Sequence, residues 1–131
     1  IYYRFMSDLK RLPRKQIQDF VYIDHRNDIA VVGTVPEADG ERIVAIGRYF
    51  LDPTTNLAEV AFVVLDGWQG KGIGTFLFNH LMKIARRNGI RGFTAEVLSQ
   101  NRAMQAVFDR SNCKTRSKLA EGVYSYEMIF D

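Results

Sequence analysis

The sequence is poor in several residue types and patterns that define specialised classes of protein. Its single cysteine, Cys113, excludes an internal disulfide and any zinc site built from several cysteines, and its two histidines stand at no metal-ligand spacing. No apolar run approaches the roughly 20 residues that a helix needs to cross a bilayer, and we expect no signal peptide. Basic residues form no long uninterrupted run, so nucleic-acid binding is not indicated. These absences predict a cytoplasmic protein without a metal, a membrane or a nucleic acid as partner.

The residues that are present describe one globular domain. With 131 residues, of which 47% are hydrophobic and 25% charged, the chain suits a single domain, residues 1–131, that could be excised from a longer multidomain protein. The formal net charge of +3 could favour the phosphates of a cofactor or an acidic partner. The alternative is a solvated surface whose charges have no specific role.

The first half of the chain is predicted to contain helices followed by strands. Apolar and charged residues mix at helical intervals in residues 1–21, where Pro13 separates two short helices. Three strands then follow at residues 29–35, 42–51 and 57–65, the first of them ended by a proline. Short turns between them predict an antiparallel meander.

The second half alternates helices and strands. Apolar residues at spacings of four, four and three predict an amphipathic helix at residues 72–88, with Gly89 as its C-cap. The later elements are predicted to be a strand at 90–98, a helix at 102–110, and strands at 114–120 and 123–130 joined by a turn at Glu121 and Gly122. This order predicts an α/β (α+β) fold, a mixed and mostly antiparallel sheet flanked by helices.

A glycine-rich segment between the third strand and the long helix is the most specific motif, and we call residues 69–75 the glycine loop. Gly70, Gly72 and Gly74 let backbone N–H groups approach a ligand without obstruction by side chains. The helix N-terminus adds unsatisfied donors and a partial positive charge, to which Lys71 could add a full one. The glycine loop therefore predicts a phosphate site, with a simple tight turn as the alternative.

The glycine loop differs from the two commonest phosphate-binding motifs. A Walker loop would end in Gly-Lys-Ser or Gly-Lys-Thr, and that ending is absent. A dinucleotide fingerprint would place a third spaced glycine where Thr75 stands, and would lie between parallel strands.

The pattern Gln69-x-x-Gly72-x-Gly74, after an apolar strand and before a helix, resembles the pyrophosphate loop of the GNAT superfamily of acyl-CoA-dependent N-acyltransferases. The resemblance covers nearly the whole chain, and it implies the GNAT fold with acetyl-CoA as co-substrate. It also implies that a strand usually found before the first helix is missing here. The residues that it places at the cofactor are Val63, Val64, Leu65, Gln69, Gly70, Lys71, Gly72, Ile73, Gly74, Thr75 and, at the pantetheine arm, Asn101.

Shorter stretches at residues 23–32, 58–62 and 66–70 resemble bacterial Pat-type protein lysine acetyltransferases. This implies that the acceptor is a lysine of a protein, such as an acyl-CoA synthetase. Two alternatives remain open: acetylation of a small amine, and a non-catalytic module that senses acetyl-CoA.

Two carboxylates are candidates for catalysis. An alkyl ammonium has a pKa of about 10.4 and must lose a proton before it attacks a thioester, so a general base is expected. Glu59 shares a strand face with Val63, and by resemblance it lies slightly behind the cofactor, towards the amine; the alternative is a surface carboxylate. Glu96, in the strand before Asn101, could orient the substrate or act as base through water, or could pair with a helix Lys or Arg.

The sequence departs from the superfamily at the position of the general acid. Many members have a tyrosine seven residues after the asparagine, where this chain has Phe108. Tyr124 and Tyr126 are possible substitutes, and direct transfer with water as the acid is the alternative. The remaining notable side chains are predicted to be structural: His80, Cys113 as a buried strand residue, Trp68 packed beside the glycine loop, and Phe76, Phe78 and Met82 in the core.

Overall fold

The computed structural model describes residues 21–25 and 27–130. The two helices predicted within residues 1–21 lie outside the described residues. The expectation that a strand is missing before them also concerns that part of the chain. The described elements are β1 (Val21–His25), β2 (Asp28–Glu37), β3 (Gly40–Asp52), β4 (Leu57–Val64), α1 (Ile73–Arg87), β5 (Gly92–Leu98), α2 (Arg102–Asp109), β6 (Lys114–Ala120) and β7 (Val123–Ile129).

The strands form one sheet in the order β1-β2-β3-β4-β5-β7-β6. Neighbours are antiparallel except for β4 and β5, which are parallel. The predicted mixed, mostly antiparallel sheet is therefore confirmed, as is the meander of β2, β3 and β4. The hairpin turn at Glu121 and Gly122 is also confirmed, with φ of 52° and 76° as a two-residue type I′ connection requires.

The parallel pairing of β4 with β5 covers only three residue pairs. It begins at Leu57 with Gly92 and ends at Glu59 with Thr94. Beyond this point β4 pairs only with β3, and β5 only with β7. The facing backbone edges of β4 and β5 therefore diverge, and a gap opens in the middle of the sheet. Backbone donors and acceptors along such an edge are available to a ligand.

Both described helices pack against one side of the sheet, which we call the helix face. α1 buries Leu77, Phe78, Leu81 and Ala85, and α2 buries Phe108. Aromatic contacts join the layers, with the Phe78 ring centroid 5.7 Å from that of Phe108 and 5.8 Å from that of Phe93 on β5. The other side of the sheet, which we call the opposite face, carries a smaller buried cluster of Val32, Ile43, Ile46 and Val63.

Several local predictions need correction. β1 was not predicted: it is a short edge strand whose conformation depends on its pairing with β2. Pro36 does not end β2 but lies within it, near the hairpin tip. The C-cap of α1 is Asn88, and Gly89 is the left-handed residue after it, with φ of 77°. Cys113 is only half-buried and lies just before β6, with its Sγ 3.6 Å from Sδ of Met82.

Phe76, Phe78 and Met82 of α1 were all predicted to lie in the core, and the structure places only two of them there. Phe78 is in the core with 1% exposure, and Met82 packs against it as a half-buried side chain. Phe76 is 66% exposed, so its assignment to the core was wrong. Its ring stacks on His80, with centroids 6.2 Å apart, on the side of α1 that faces away from the sheet.

Candidate functional site

A cleft of about 560 Å³, here the helix-side cleft, lies between the end of β4, the start of α1 and one side of α2. Leu65 and Lys71 do not line it. The predicted cofactor residues that do line it are Val63, Val64, Gln69, Gly70, Gly72, Ile73, Gly74, Thr75 and Asn101.

The start of α1 exposes its backbone donors to this cleft. Gly72 is the N-cap residue, with φ of 82°, and no side chain caps the helix. A Cβ atom at Gly72 would meet nothing within 4 Å, so glycine is favoured there by its backbone conformation and not by crowding. The first N–H groups of α1 are thus left without a side-chain acceptor. This arrangement suits an anion.

Side chains around the glycine loop hold its shape. Gln69 Nε2 donates to the carbonyl oxygen of Val64 at 3.0 Å, which ties the loop to the end of β4. Trp68 packs against the core as a half-buried side chain, which confirms its predicted role. Lys71 Nζ lies 6.0 Å from the centroid of the Trp68 ring. The lysine therefore lies beside the indole ring, outside the residues that line the cleft.

Asn101 is the N-cap of α2, since its Oδ1 accepts from the backbone N–H of Met104 at 3.2 Å. This bond fixes the side chain at the edge of the cleft and leaves its amide N–H₂ pointing to no described acceptor. The loop before it is anchored by Gln105, whose Nε2 donates to the carbonyl oxygens of Leu98 and Ser99 at 3.1 and 2.9 Å.

Arg110 is a cleft residue that the sequence analysis missed. Among the described residues that line the helix-side cleft, it is the only one with a charged side chain. It is the C-cap residue of α2, three residues after Val107, and a Cβ at Gly74 would lie 3.7 Å from Val107. Because residues three apart are neighbours on a helix surface, Arg110 stands one turn from the contact between α1 and α2. The position of Arg110 in the cleft depends on the angle at which α1 and α2 cross, and the sequence pattern does not predict this angle.

Glu59 and Glu96 lie together on the opposite face, where both line a second cavity of about 540 Å³. We call it the opposite-face cavity. Glu59 is half-buried and is the last β4 residue paired with β5, so it lies where the gap begins. Glu96 is exposed. Its neighbours Ala95 and Val97 are buried in the core of the helix face. The alternative in which Glu96 pairs with a Lys or Arg of α1 or α2 is therefore wrong, because its side chain points away from both helices.

The same cavity contains three charged residues that were not predicted: Glu127 on β7, and Arg116 and Lys118 on β6. Arg116 Nη2 contacts Glu127 Oε1 at 2.7 Å. Arg116 and Lys118 alternate along one strand, which indicates in the sequence that both lie on the same face of the sheet. The sequence does not indicate that this face adjoins Glu59 and Glu96, because the pairing of β6 with β7 and of β7 with β5 joins distant segments.

Phe108, at the position of the family's acid, and the two tyrosines predicted as possible substitutes lie on the helix face: Phe108 and Tyr126 are buried, and Tyr124 packs against the core as a half-buried side chain. Phe108 is 1% exposed and packs against Phe62 and Phe78. The Tyr126 hydroxyl donates to Asp109 Oδ1 at 3.1 Å. Burial, together with this hydrogen bond and the charge of Asp109, raises the pKa of Tyr126 to about 12. A phenol with this pKa is a poor proton donor to a thiolate at neutral pH.

Two further classes of site are absent from the described part of the chain. Its longest helix, α1, has 15 residues, and none of the helices found in residues 27–130 is long and apolar enough to span a bilayer. No group of three or more His, Cys, Asp or Glu side chains converges on a point there.

The sequence matches the family model described as Acetyltransferase (GNAT) family over residues 2–112. It is similar to acetyltransferase PA5475 of Pseudomonas aeruginosa, at 34% identity over 105 residues that cover 79% of this chain and 56% of that protein. It is also similar to acetyltransferase Pat of Mycolicibacterium smegmatis, at 34% identity over 112 residues that cover 84% of this chain and 32% of that protein.

The fold is similar to the crystal structure of the GNAT domain of S. lividans PAT. The TM-score is 0.70 at 30% sequence identity, and the match covers 92% of this chain and 70% of that one. The chain thus spans about half or less of the two curated relatives and most of a solved domain.

Proposed function

Because the chain belongs to the GNAT acetyltransferase family, we propose that it transfers the acetyl group of acetyl-CoA to the side-chain nitrogen of a lysine in another protein. Members of that family use acetyl-CoA as co-substrate. One observation carries the proposal. β4 contributes Phe62 and Val64, whose side chains pack on the helix face, to the helix-side cleft and Glu59 to the opposite-face cavity, and the gap between β4 and β5 begins at Glu59. A thioester and an amine can therefore approach one another from the two faces of the sheet.

The helix-side cleft fits the cofactor by its donor groups. The N–H groups of the glycine loop and of the first turn of α1 bind the diphosphate, and no acidic side chain among the described residues lines the cleft to repel it. The edge of β4 that faces the gap, at the residues Phe62, Val63 and Val64 that line the cleft, holds the pantetheine arm, with the Asn101 amide facing it across the gap. Leu65 takes no part, because its N–H donates to the Val44 carbonyl oxygen at 2.9 Å and it does not line the cleft. Acetyl-CoA supplies the activated acyl group, and the residues of this chain position it.

On the other side of the gap, Glu59 is the general base. Its carboxylate accepts a proton from the lysine ammonium, which leaves the nitrogen lone pair free to attack the thioester carbonyl. The nitrogen of the tetrahedral adduct loses its second proton to water, the carbon–sulfur bond breaks, and CoA leaves as a thiolate that takes a proton from water. Glu96, in the same cavity, orients the incoming amine. Neither Phe108 nor Tyr126 donates to the thiolate, since Phe108 has no hydroxyl and Tyr126 holds its proton on Asp109.

The similarity to the acetyltransferase Pat supports a protein acceptor. An acyl-CoA synthetase is the acceptor class that we propose, with transfer in the cytoplasm. A protein partner contributes binding energy far from the reacting nitrogen, and this energy orients the amine for attack.

The test is a comparison of kcat/KM for an acyl-CoA synthetase, for a peptide with its target lysine, and for a panel of free amines that includes spermidine. We expect the folded protein to exceed the peptide by several orders of magnitude, and free amines to react barely above background. A free amine that exceeds the protein would assign the chain to small-molecule acetylation. Tight binding of acetyl-CoA without transfer to any acceptor would make it a sensor.

A further inference from the structure

The charges in the opposite-face cavity are separated by sign across the strands. Glu59 on β4 and Glu96 on β5 lie at the gap, whereas Arg116 and Lys118 lie on β6, at the outer edge of the sheet. Glu127, on the strand between, is the only carboxylate of this cavity that a described cation contacts.

The strand register gives the separation between the two signs. Glu59, Thr94, Glu127 and Arg116 are successive partners in one row across four strands. Glu96, Ser125 and Lys118 form the next row across three strands. Directly paired residues share a face, and neighbouring strands are about 4.8 Å apart. Within these rows, Lys118 therefore lies about 10 Å from Glu96, and Arg116 about 14 Å from Glu59, along the sheet surface.

A simpler reading of the β6 cations is protection of the edge strand. Charged side chains on an edge strand discourage pairing with other chains, and Lys114, Arg116 and Lys118 alternate along the same face of β6. Edge protection alone makes the three positions equivalent. They are not equivalent: Arg116 and Lys118 line the cavity and Lys114 does not. Arg116 is also held towards the cavity by Glu127 at 2.7 Å, although its side chain is 80% exposed.

We propose that Arg116 and Lys118 form a subsite for an acidic group of the acceptor, an inference that rests on the proposed function. The acceptor lysine places its nitrogen at Glu59 and Glu96, and a carboxylate about 10–14 Å away pairs with the cations. In an extended segment, where only residues an even number apart share a side, this separation corresponds to an Asp or Glu about four residues from the lysine. Glu127 holds Arg116 until the acceptor's carboxylate competes for it.

The proposal is tested with three labelled nine-residue Gly/Ser peptides that each carry one central lysine and have a blocked N-terminus and an amidated C-terminus. Two of them have a glutamate four residues before or four residues after the lysine, and the third has glutamine at both positions. Binding to the CoA-bound chain is measured by fluorescence anisotropy, and transfer by kcat/KM with acetyl-CoA. At about 50 mM NaCl we expect one glutamate peptide to exceed the glutamine peptide by about threefold or more in both measurements. At about 300 mM NaCl we expect this preference to shrink.

Two charge reversals on the same strand face separate the subsite from a general effect of charge. Lys118→Glu should remove or invert the preference for glutamate. Lys114→Glu changes the net charge equally but lies outside the cavity, and it should preserve the preference. Glu127→Gln should strengthen the preference, because it releases Arg116 from its ion pair.

The subsite is overturned by equal affinity for all three peptides, by no measurable binding of the glutamate peptides at about 1 mM, or by Lys114→Glu acting as strongly as Lys118→Glu. The anisotropy measurement does not depend on transfer. A binding preference without acetylation of the peptides or of a folded acyl-CoA synthetase would therefore contradict the proposed function and leave the subsite standing. Acetylation without any preference would contradict the subsite alone.

Discussion

The helix-side cleft and the opposite-face cavity lie on two sides of the same strand, yet they are built from different chemistry. The cleft is formed by backbone donors, glycines and apolar side chains, with Arg110 as its single charged residue among those described. The cavity is lined by five charged side chains, which are Glu59, Glu96, Arg116, Lys118 and Glu127. Binding in the cleft therefore depends mainly on the backbone conformation of the glycine loop. Binding and catalysis in the cavity depend on the identity of each charged side chain.

This difference has consequences for each side of the sheet. Helix-terminal N–H groups carry a fixed partial charge that no single side-chain truncation removes. Replacing one carboxylate of the cavity, in contrast, removes a whole function. We therefore expect changes in the cavity to alter turnover or acceptor choice, and changes around the glycine loop to alter affinity for the cofactor.

The largest effect is expected from Glu59→Gln, which preserves shape and removes the ability to accept a proton. Turnover should fall by about 10²-fold or more, while the affinity for CoA stays within a few-fold. Steady-state kinetics and a CoA titration measure the two quantities. Glu96→Gln is the matched control in the same cavity and should have the smaller effect on kcat. If Glu96→Gln is the more damaging change, the base has been assigned to the wrong carboxylate.

Gly72→Asp should have the next largest effect, because it places a carboxylate beside the diphosphate. Gly67→Asp is its control: the two glycines have φ of 82° and 86°, both have open space around them, and only Gly72 lines the cleft. Both variants should lose about 1 kcal/mol of stability, the cost of a side chain in the left-handed region. Only Gly72→Asp should also lose the rise in melting temperature caused by CoA. An equal CoA shift in both variants would remove the glycine loop from the cofactor site.

A smaller effect is expected from the single charge in the cleft. Arg110→Gln should weaken CoA binding by about threefold to tenfold, because it removes a cation that can pair with a phosphate. Lys71→Gln should change the affinity by less than about twofold, since Lys71 lies against Trp68 and does not line the cleft. Isothermal titration of both variants decides between them. A larger loss of affinity from Lys71→Gln would show that Lys71, which the sequence analysis placed at the phosphate, contributes more to CoA binding than Arg110.

The contrast between the two sides also explains what the sequence could predict. The hydrophobic periodicity of the sequence predicts most of the strands and α1. Gln69, Gly72 and Gly74 stand at fixed offsets within one continuous segment, so the local sequence was sufficient to predict the position of the glycine loop. The apolar stripe of α1 does not distinguish Phe76 from Phe78, since each lies about 100° from the centre of the stripe. The packing of α1 on the sheet buries Phe78 and leaves Phe76 66% exposed.

Other features depend on contacts between distant segments. The position of Arg110 depends on the crossing of α1 and α2. The row that joins Glu59, Glu127 and Arg116 depends on the pairing of four strands that are far apart in sequence. The edge strand β1 was missed for the same reason, since pairing with β2 and not propensity determines it.

The smallest effect is expected at Tyr126, which connects the two sides. Its backbone borders the opposite-face cavity, and its hydroxyl bonds Asp109 of α2 on the helix face. If this bond is structural, Tyr126→Phe should cost about 1 kcal/mol of stability and leave kcat within about twofold. Chemical denaturation and steady-state kinetics measure the two effects, and Tyr124→Phe on the same strand is the control.

The pH dependence of stability separates this structural role from an acid role for Tyr126. Its pKa of about 12 in the folded chain lies above the ordinary value of 10.0, so the fold stabilises the neutral phenol. That contribution is complete below about pH 10 and is lost as the pH rises towards 12. The free energy of unfolding should therefore fall more steeply across this window in the original chain than in Tyr126→Phe. A fall in kcat of tenfold or more at neutral pH, with stability unchanged, would instead make Tyr126 the proton donor to the thiolate and would bring a residue of the helix face into the chemistry.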